Sequence, residues 1–143
     1  MQQRILRPTR AARAGGRPPW RLLMESRAPG VDIANFDAFR DAGFDVTVCE
    51  GPDESPDCPL VRGEPCPLVD EADVVLFDLD DLPARWAVLD ALRASRPALP
   101  VVVRAQGPAA LGYPGCSTIR TTTSVNGQVS ALRKAVMRWT TSA

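Results

Sequence analysis

The chain has 143 residues, a hydrophobic fraction of 45% and a formal net charge of zero, which together predict one domain with its own core. It contains no histidine, so the residue that most often serves as general base or metal ligand is excluded. No apolar run is long enough to span a membrane, and residues 1–20 lack the apolar stretch of a secretory signal. We therefore expect a cytoplasmic protein that does not contact a membrane and whose four cysteines are reduced.

Residues 1–19 form an arginine-rich segment that precedes the predicted fold. It contains five arginines and no acid, and glycines and prolines near its end interrupt any helix. We expect a basic disordered tail, followed by one α/β domain over residues 20–143. A basic arm for nucleic acid or for an acidic partner is the alternative, although no aromatic residue lies among the arginines to stack on bases.

The spacing of apolar residues predicts five strands and three helices in alternation. Asn35 and Ser124 precede two of the helices and are expected to be their N-caps. Such an alternation predicts a doubly wound α/β fold with a five-stranded parallel sheet of order 2-1-3-4-5. The predicted elements are strands at 20–24, 44–49, 74–77, 101–103 and 117–122, helices at 35–42, 82–95 and 125–139, and proline- and glycine-rich loops at 50–69 and 105–116.

Carboxylates cluster directly after the apolar run Val74–Phe77. Asp78, Asp80 and Asp81 follow that run, and ligands bind at the carboxyl ends of the strands in open α/β sheets. The cluster therefore marks a candidate site. The alternative is a solvated loop in which Asp81 caps the next helix.

Two stretches of the sequence resemble response-regulator receiver domains. They are DVVLFDLDDLP, followed by LDALRASRPALPVVV, and FRDAGFDVTV. Receivers carry a similar strand, an aspartate, a nearby proline, a helix and a strand introduced by proline. The resemblance covers residues 20–139 and implies a receiver-like, flavodoxin-like fold in which loops replace helices 2 and 4. It also implies that Asp78 corresponds to the phosphate-accepting aspartate.

Three strand ends depart from the receiver pattern. Receivers end the first strand with paired acids that hold magnesium, whereas here Glu25 is followed by Ser26. Their fourth strand ends with threonine or serine, where this chain has Arg104-Ala105, and their fifth ends with Lys-Pro, where this chain has Arg120-Thr121. The groups that would bind a metal ion and read a phosphoryl group are therefore incomplete.

The incomplete pattern favours a receiver-like module without enzymatic activity. A hard cation keeps Glu25 but loses the second acid of the pair, where this chain has Ser26, unless Asp80 or Asp81 restores the site. We therefore expect no cofactor, with magnesium only if the acidic pocket is functional. Partners are then a protein or a second copy of the chain, met through the last helix and the edge formed by strands 4 and 5. An active phosphoacceptor at Asp78 is a further alternative.

Cysteine placement suggests a second class of function. Cys58 and Cys66 each begin the tetrapeptide CPLV in the 50–69 loop, and Arg62 between them would favour a thiolate. A thiol redox sensor that uses Cys58 and Cys66 is therefore an alternative hypothesis, whereas two small buried hydrophobic side chains are the structural interpretation. Zinc is disfavoured because histidine is absent and no two cysteines have the C-x2-C spacing.

Overall fold

The computed structural model describes residues 5–6, 19–26, 35–49, 58–78, 83–106 and 115–142. These residues form a single sheet with helices on both faces. The strands are β1 (Ile5–Leu6), β2 (Trp20–Glu25), β3 (Phe44–Cys49), β4 (Val74–Asp78), β5 (Val101–Ala105) and β6 (Ser117–Arg120), and the helices are α1 (Phe36–Asp41), α2 (Pro67–Asp70), α3 (Pro83–Ser95) and α4 (Val125–Ser142).

The strand order in the sheet is β1-β3-β2-β4-β5-β6. All pairs from β3 across to β6 are parallel, so the predicted parallel order 2-1-3-4-5 and the doubly wound α/β fold are confirmed. The strand bounds differ from the predicted ones by at most two residues. The largest extension is at β5, which continues to Ala105 and so includes Arg104.

One strand was not predicted from the sequence. Ile5 and Leu6 pair antiparallel with Cys49 and Val48 of β3 and make a sixth strand at that edge of the sheet. A two-residue strand is too short to show an alternating apolar pattern. The other residues before Pro19 lie outside the described residues, so the disordered tail and the nucleic-acid arm remain predictions.

The predicted loop at 50–69 contains one short helix, α2, where the receiver pattern has its helix 2. Pro67 occupies the first turn of α2, where the missing N–H of proline has no helical partner to lose. The helix therefore begins at the last proline of the segment and does not run through the prolines. Residues 50–57, and residues 107–114 in the second predicted loop, lie outside the described residues.

Strand β4 is buried on both faces, as its apolar run predicted. Val75 and Phe77 pack on one side of the sheet with residues of α3, including Leu89. Val74 and Leu76 pack on the other side, in a cluster to which α1 and α4 contribute. The core therefore consists of two layers, and Asp78 is the first residue of β4 beyond them.

Helix ends agree in part with the predicted caps. Gly127 donates its N–H to Ser124 Oγ at 3.1 Å, which confirms Ser124 as the N-cap of α4. Asn35 precedes α1 as predicted, but its side chain makes no capping hydrogen bond. Within the described part of the chain, no helix is long and apolar enough to cross a membrane.

Candidate functional site

The carboxyl ends of the parallel strands bring the candidate residues to one edge of the sheet. In the register of β2 with β4, Glu25 lies beside Phe77, and in the register of β4 with β5, Asp78 lies beside Arg104. Glu25 and Asp78, predicted as site residues, are thus on neighbouring strands at the same edge. Asp80 and Asp81, predicted as additional metal ligands, lie outside the described residues.

The carboxylate of Asp78 forms a bidentate ion pair with Arg104. The Arg104 Nε donates to Oδ1 and its Nη2 donates to Oδ2, the latter at 2.8 Å. Ser26 Oγ donates a further hydrogen bond to Oδ2 at 3.1 Å. The Asp78 and Arg104 side chains are 20% and 10% exposed, so water screens the pair only weakly. Both oxygens of the candidate phosphoacceptor are therefore occupied by donors from the chain itself.

The guanidinium of Arg104 also reaches helix α4. Its Nη1 donates to Gln128 Oε1 at 2.9 Å, and Gln128 Nε2 donates to the carbonyl oxygen of Thr123 at 3.0 Å. Gln128 is itself buried and lies in the first turns of α4. A continuous set of hydrogen bonds therefore joins the end of β4 to the start of α4.

A second buried guanidinium lies at the same edge. Arg85, in the first turns of α3, is 1% exposed, and its charged group lies 5.2 Å from the centre of the Phe77 ring. Its Nη2 donates to the carbonyl oxygen of Asp78 at 3.3 Å. Neither Nε nor Nη1 has a hydrogen-bond partner among the described residues. The face of the Phe77 ring provides a cation–π contact for this charge.

Glu25 is a buried acid beside these cations. It is 7% exposed, and its Oε2 has no hydrogen-bond partner in the described part of the chain. Burial raises the pKa of the Glu25 carboxyl from 4.5 to about 7, although the charge of Arg85 and a hydrogen bond with Cys49 act in the opposite direction. Glu25 therefore exchanges its proton near neutral pH.

The edge does not fit the magnesium ion that the receiver resemblance implies. A divalent ion needs several free oxygen ligands, but both oxygens of Asp78 accept hydrogen bonds from Arg104 and Ser26. Arg85 adds a second positive charge. Among the described residues, no group of three or more histidine, cysteine, aspartate or glutamate side chains could hold a metal ion.

Cys58 and Cys66 are both buried free thiols in the cluster that packs on α3. Burial raises the pKa of the Cys58 thiol, although hydrogen bonds with the backbone of Val61 and Leu60 act in the opposite direction. Arg62, expected to favour a thiolate, instead forms an exposed ion pair with Glu64 at 3.1 Å. These surroundings disfavour thiolate chemistry, and the redox-sensor hypothesis stays a prediction.

Comparison with solved structures identifies the fold. A response regulator receiver protein from Sinorhizobium medicae superimposes with a TM-score of 0.58 at 19% identity, over 83% of this chain and 94% of that one. An orphan response regulator of H. pylori gives 0.60 at 13%, over 84% and 98%. A putative pilus assembly-related protein from Burkholderia pseudomallei gives 0.59 at 17%, over 90% and 96%.

The chain has a receiver-like fold. Identities below 20% establish the fold and not the activity. No protein-family model and no curated protein matches the chain by sequence. The predicted resemblance to receivers is therefore confirmed at the level of structure.

Removing one member of the Asp78–Arg104 pair should destabilise the protein. We expect Arg104→Gln to lower the free energy of unfolding by about 3 kcal/mol, because it leaves a half-buried carboxylate without its cation. In a double-mutant cycle with Asp78→Asn, the coupling energy should be about 2 kcal/mol. Urea denaturation of the four proteins measures both values.

The exposed Arg62–Glu64 pair provides a matched control. Its side chains are 44% and 56% exposed, so the same cycle with Arg62→Gln and Glu64→Gln should give a coupling energy below about 0.5 kcal/mol. Equal coupling energies for the two pairs would contradict the structural role assigned to Arg104.

Proton binding by Glu25 should make stability depend on pH. Since its folded-state pKa is about 7 and its ordinary value is 4.5, only the folded protein holds the proton between these values. The free energy of unfolding should therefore fall as pH rises from 4.5 to 7, with a contribution of about 3 kcal/mol from this residue. Glu25→Gln should remove that contribution. If the free energies of unfolding of the wild type and of Glu25→Gln change in parallel from pH 4.5 to 8, Glu25 does not bind this proton.

Proposed function

We propose that this protein is a non-enzymatic, receiver-like module for signalling and protein interaction, in which Asp78 does not accept phosphate. The observation that carries the proposal is the bidentate ion pair between Asp78 and Arg104. The chain has Arg104-Ala105 where the receiver pattern ends its fourth strand with threonine or serine, so no hydroxyl is available there to bind phosphate, and Arg104 occupies the acceptor carboxylate.

The chemistry of phosphoryl transfer supports this proposal. A carboxylate attacks a phosphoryl group through an oxygen lone pair, and a divalent ion normally neutralises the charge of the incoming group. At Asp78, attack requires breaking the bonds from Arg104, and a divalent ion would enter beside the positive charges of Arg104 and Arg85. Coulomb repulsion at such distances in a poorly screened site opposes that entry.

The connection to helix α4 supports a role in protein interaction. In this proposal, Arg104 acts as a permanent cation that holds Asp78 and, through Gln128, the start of α4. The interaction face, α4 with the edge formed by β5 and β6, is then positioned without phosphorylation. Because Leu132 and Val136 of α4 lie in the core, this face is tested by surface substitutions and not by deleting the helix.

Treatment with acetyl phosphate and magnesium, followed by intact-mass measurement, tests the proposal. The wild type should gain no phosphoryl group. Ser26→Asp/Arg104→Thr restores the paired acids of the receiver pattern and replaces the Arg104 cation by a hydroxyl at the end of β5, and this variant should gain an adduct because Asp78 is released.

Two controls make the result specific to Asp78. Asp78→Ala in the Ser26→Asp/Arg104→Thr variant should abolish the adduct. Asp78→Ala alone should, like the wild type, gain no phosphoryl group. An adduct on the wild type that disappears in Asp78→Ala would overturn the proposal and support an active phosphoacceptor.

A further inference from the structure

Helix α4 presents to the outside of the molecule a basic stripe that ends in an apolar residue. We call it the α4 stripe, and it consists of Asn126, Ser130, Arg133, Lys134 and Met137. With Val129 these residues line a shallow surface groove. Met137 is 54% exposed and is the exposed large hydrophobic among the described side chains.

Charge is strongly segregated along the chain. All 17 acids lie between residues 25 and 90, whereas residues 91–143 contain seven cations and no acid. The stripe is therefore positive without any compensating acid on its own helix. Helix α1, in contrast, exposes Asp37 and Asp41 together with one cation, Arg40, so its net charge is negative.

Helices α1 and α4 lie side by side on the same face of the sheet. They contact each other and belong to the same core cluster. Yet the side chains of Asp37, Asp41, Arg133 and Lys134 form no ion pair or hydrogen bond with one another or with other described residues. One surface therefore carries adjacent regions of opposite charge that are not paired with each other or with the rest of the described chain.

We propose that this surface binds a second copy of the chain, with α4 of each protomer lying on α1 of its partner. A two-fold axis brings each patch onto its complement in both directions: the stripe cations meet Asp37 and Asp41, and Met137 adds an apolar contact at the C-terminal end of the stripe. This inference rests on the proposed function as an interaction module and names its partner. It places the contact on α4 together with α1, and not on α4 together with the β5–β6 edge.

The charges on α1 argue against other anionic occupants. Nucleic acid and anionic lipid are uniformly negative. Arg133 and Lys134 would attract such a ligand, but Asp37 and Asp41 on the same surface would repel it. A second copy of the chain supplies both signs in the required positions. The apolar Met137 also suits a protein partner, since methionine is enriched at protein–protein interfaces.

The expected dimer is weak and sensitive to salt. The α4 stripe from Asn126 to Met137 extends about 17 Å along the helix, so the contact is smaller than a standard interface. Much of its attraction comes from exposed charges, which salt screens. We expect a reversible dimer of the full chain at low salt that dissociates in concentrated sodium chloride.

Sedimentation velocity of charge-reversed variants tests the pairing. Asp37→Arg/Asp41→Arg makes both helices positive, and Arg133→Glu/Lys134→Glu makes both negative, so each variant alone should dimerise at least about tenfold more weakly than the wild type. Mixed together, the two variants should form a heterodimer, because α1 of each then faces the opposite charge on α4 of the other. Circular dichroism checks that each variant is folded.

Two further variants define the surface. Met137→Ala should weaken the dimer several-fold, because it removes the large exposed apolar side chain of the stripe. Arg62→Glu reverses an exposed charge in the segment that packs with α3 on the other face of the sheet, and it should leave the dimer unchanged.

A wild type that stays monomeric up to millimolar concentration would overturn this inference, as would a dimer that the charge reversals leave intact or a mixture that forms no heterodimer. Binding of duplex DNA or anionic vesicles by the wild type, with loss on Arg133→Glu/Lys134→Glu, would also overturn it. None of these results alters the mass measurement at Asp78. Conversely, a phosphoryl adduct on Asp78 would refute the proposed function and leave the sedimentation result standing.

Discussion

The ion pair between Asp78 and Arg104 is the interaction on which the site depends. It joins the ends of two adjacent parallel strands in register, and both side chains are largely removed from water. At such a position, a charge that loses its partner is costly, so the two residues constrain each other. The pair also limits the chemistry available at Asp78, because it fixes a cation on the carboxylate that corresponds to the phosphate-accepting group of the receiver pattern.

The pair has consequences beyond the two strands. Arg104 holds Gln128, and Gln128 holds the backbone at the start of α4, so the acidic end of β4 and the last helix are mechanically connected. The nearby Arg85 and Glu25 add a buried cation and an acid that titrates near neutral pH. A receiver-like fold is thus combined with an edge at which the carboxylate of Asp78 is paired with a cation of the chain itself.

The spacing of apolar residues along the sequence was sufficient to predict most of the strands and helices. The apolar run at Val74–Phe77 identified the central strand, and Ser124 marked the start of the last helix, because both signals lie in a few consecutive residues. The position of Asp78 followed from the same strand. The β1 pairing and helix α2 were missed, since two or four residues carry too little pattern.

The contacts within the site were harder to predict. Arg104 was recognised as a departure from the receiver pattern, but its pairing with Asp78 depends on the register of strands 26 residues apart in sequence. The contribution of Gln128 depends on where α4 begins, and that of Arg85 on the rotation of α3. No local motif encodes these positions. The charge complementarity of α1 and α4 likewise emerges only when the fold places the two helices side by side.

The most direct test of the account is NMR of the arginine Nε–H groups, with the Arg104 resonance assigned by its loss in Arg104→Lys. A closed Asp78–Arg104 pair predicts a slowly exchanging Arg104 Nε–H, because this group is bonded to Asp78 and largely buried. The Arg104 resonance should then not shift when excess magnesium chloride is added. An Arg104 Nε–H that exchanges at the rate of an exposed arginine, or that shifts as magnesium binds, would show that Asp78 is free to bind the ion and would contradict the account.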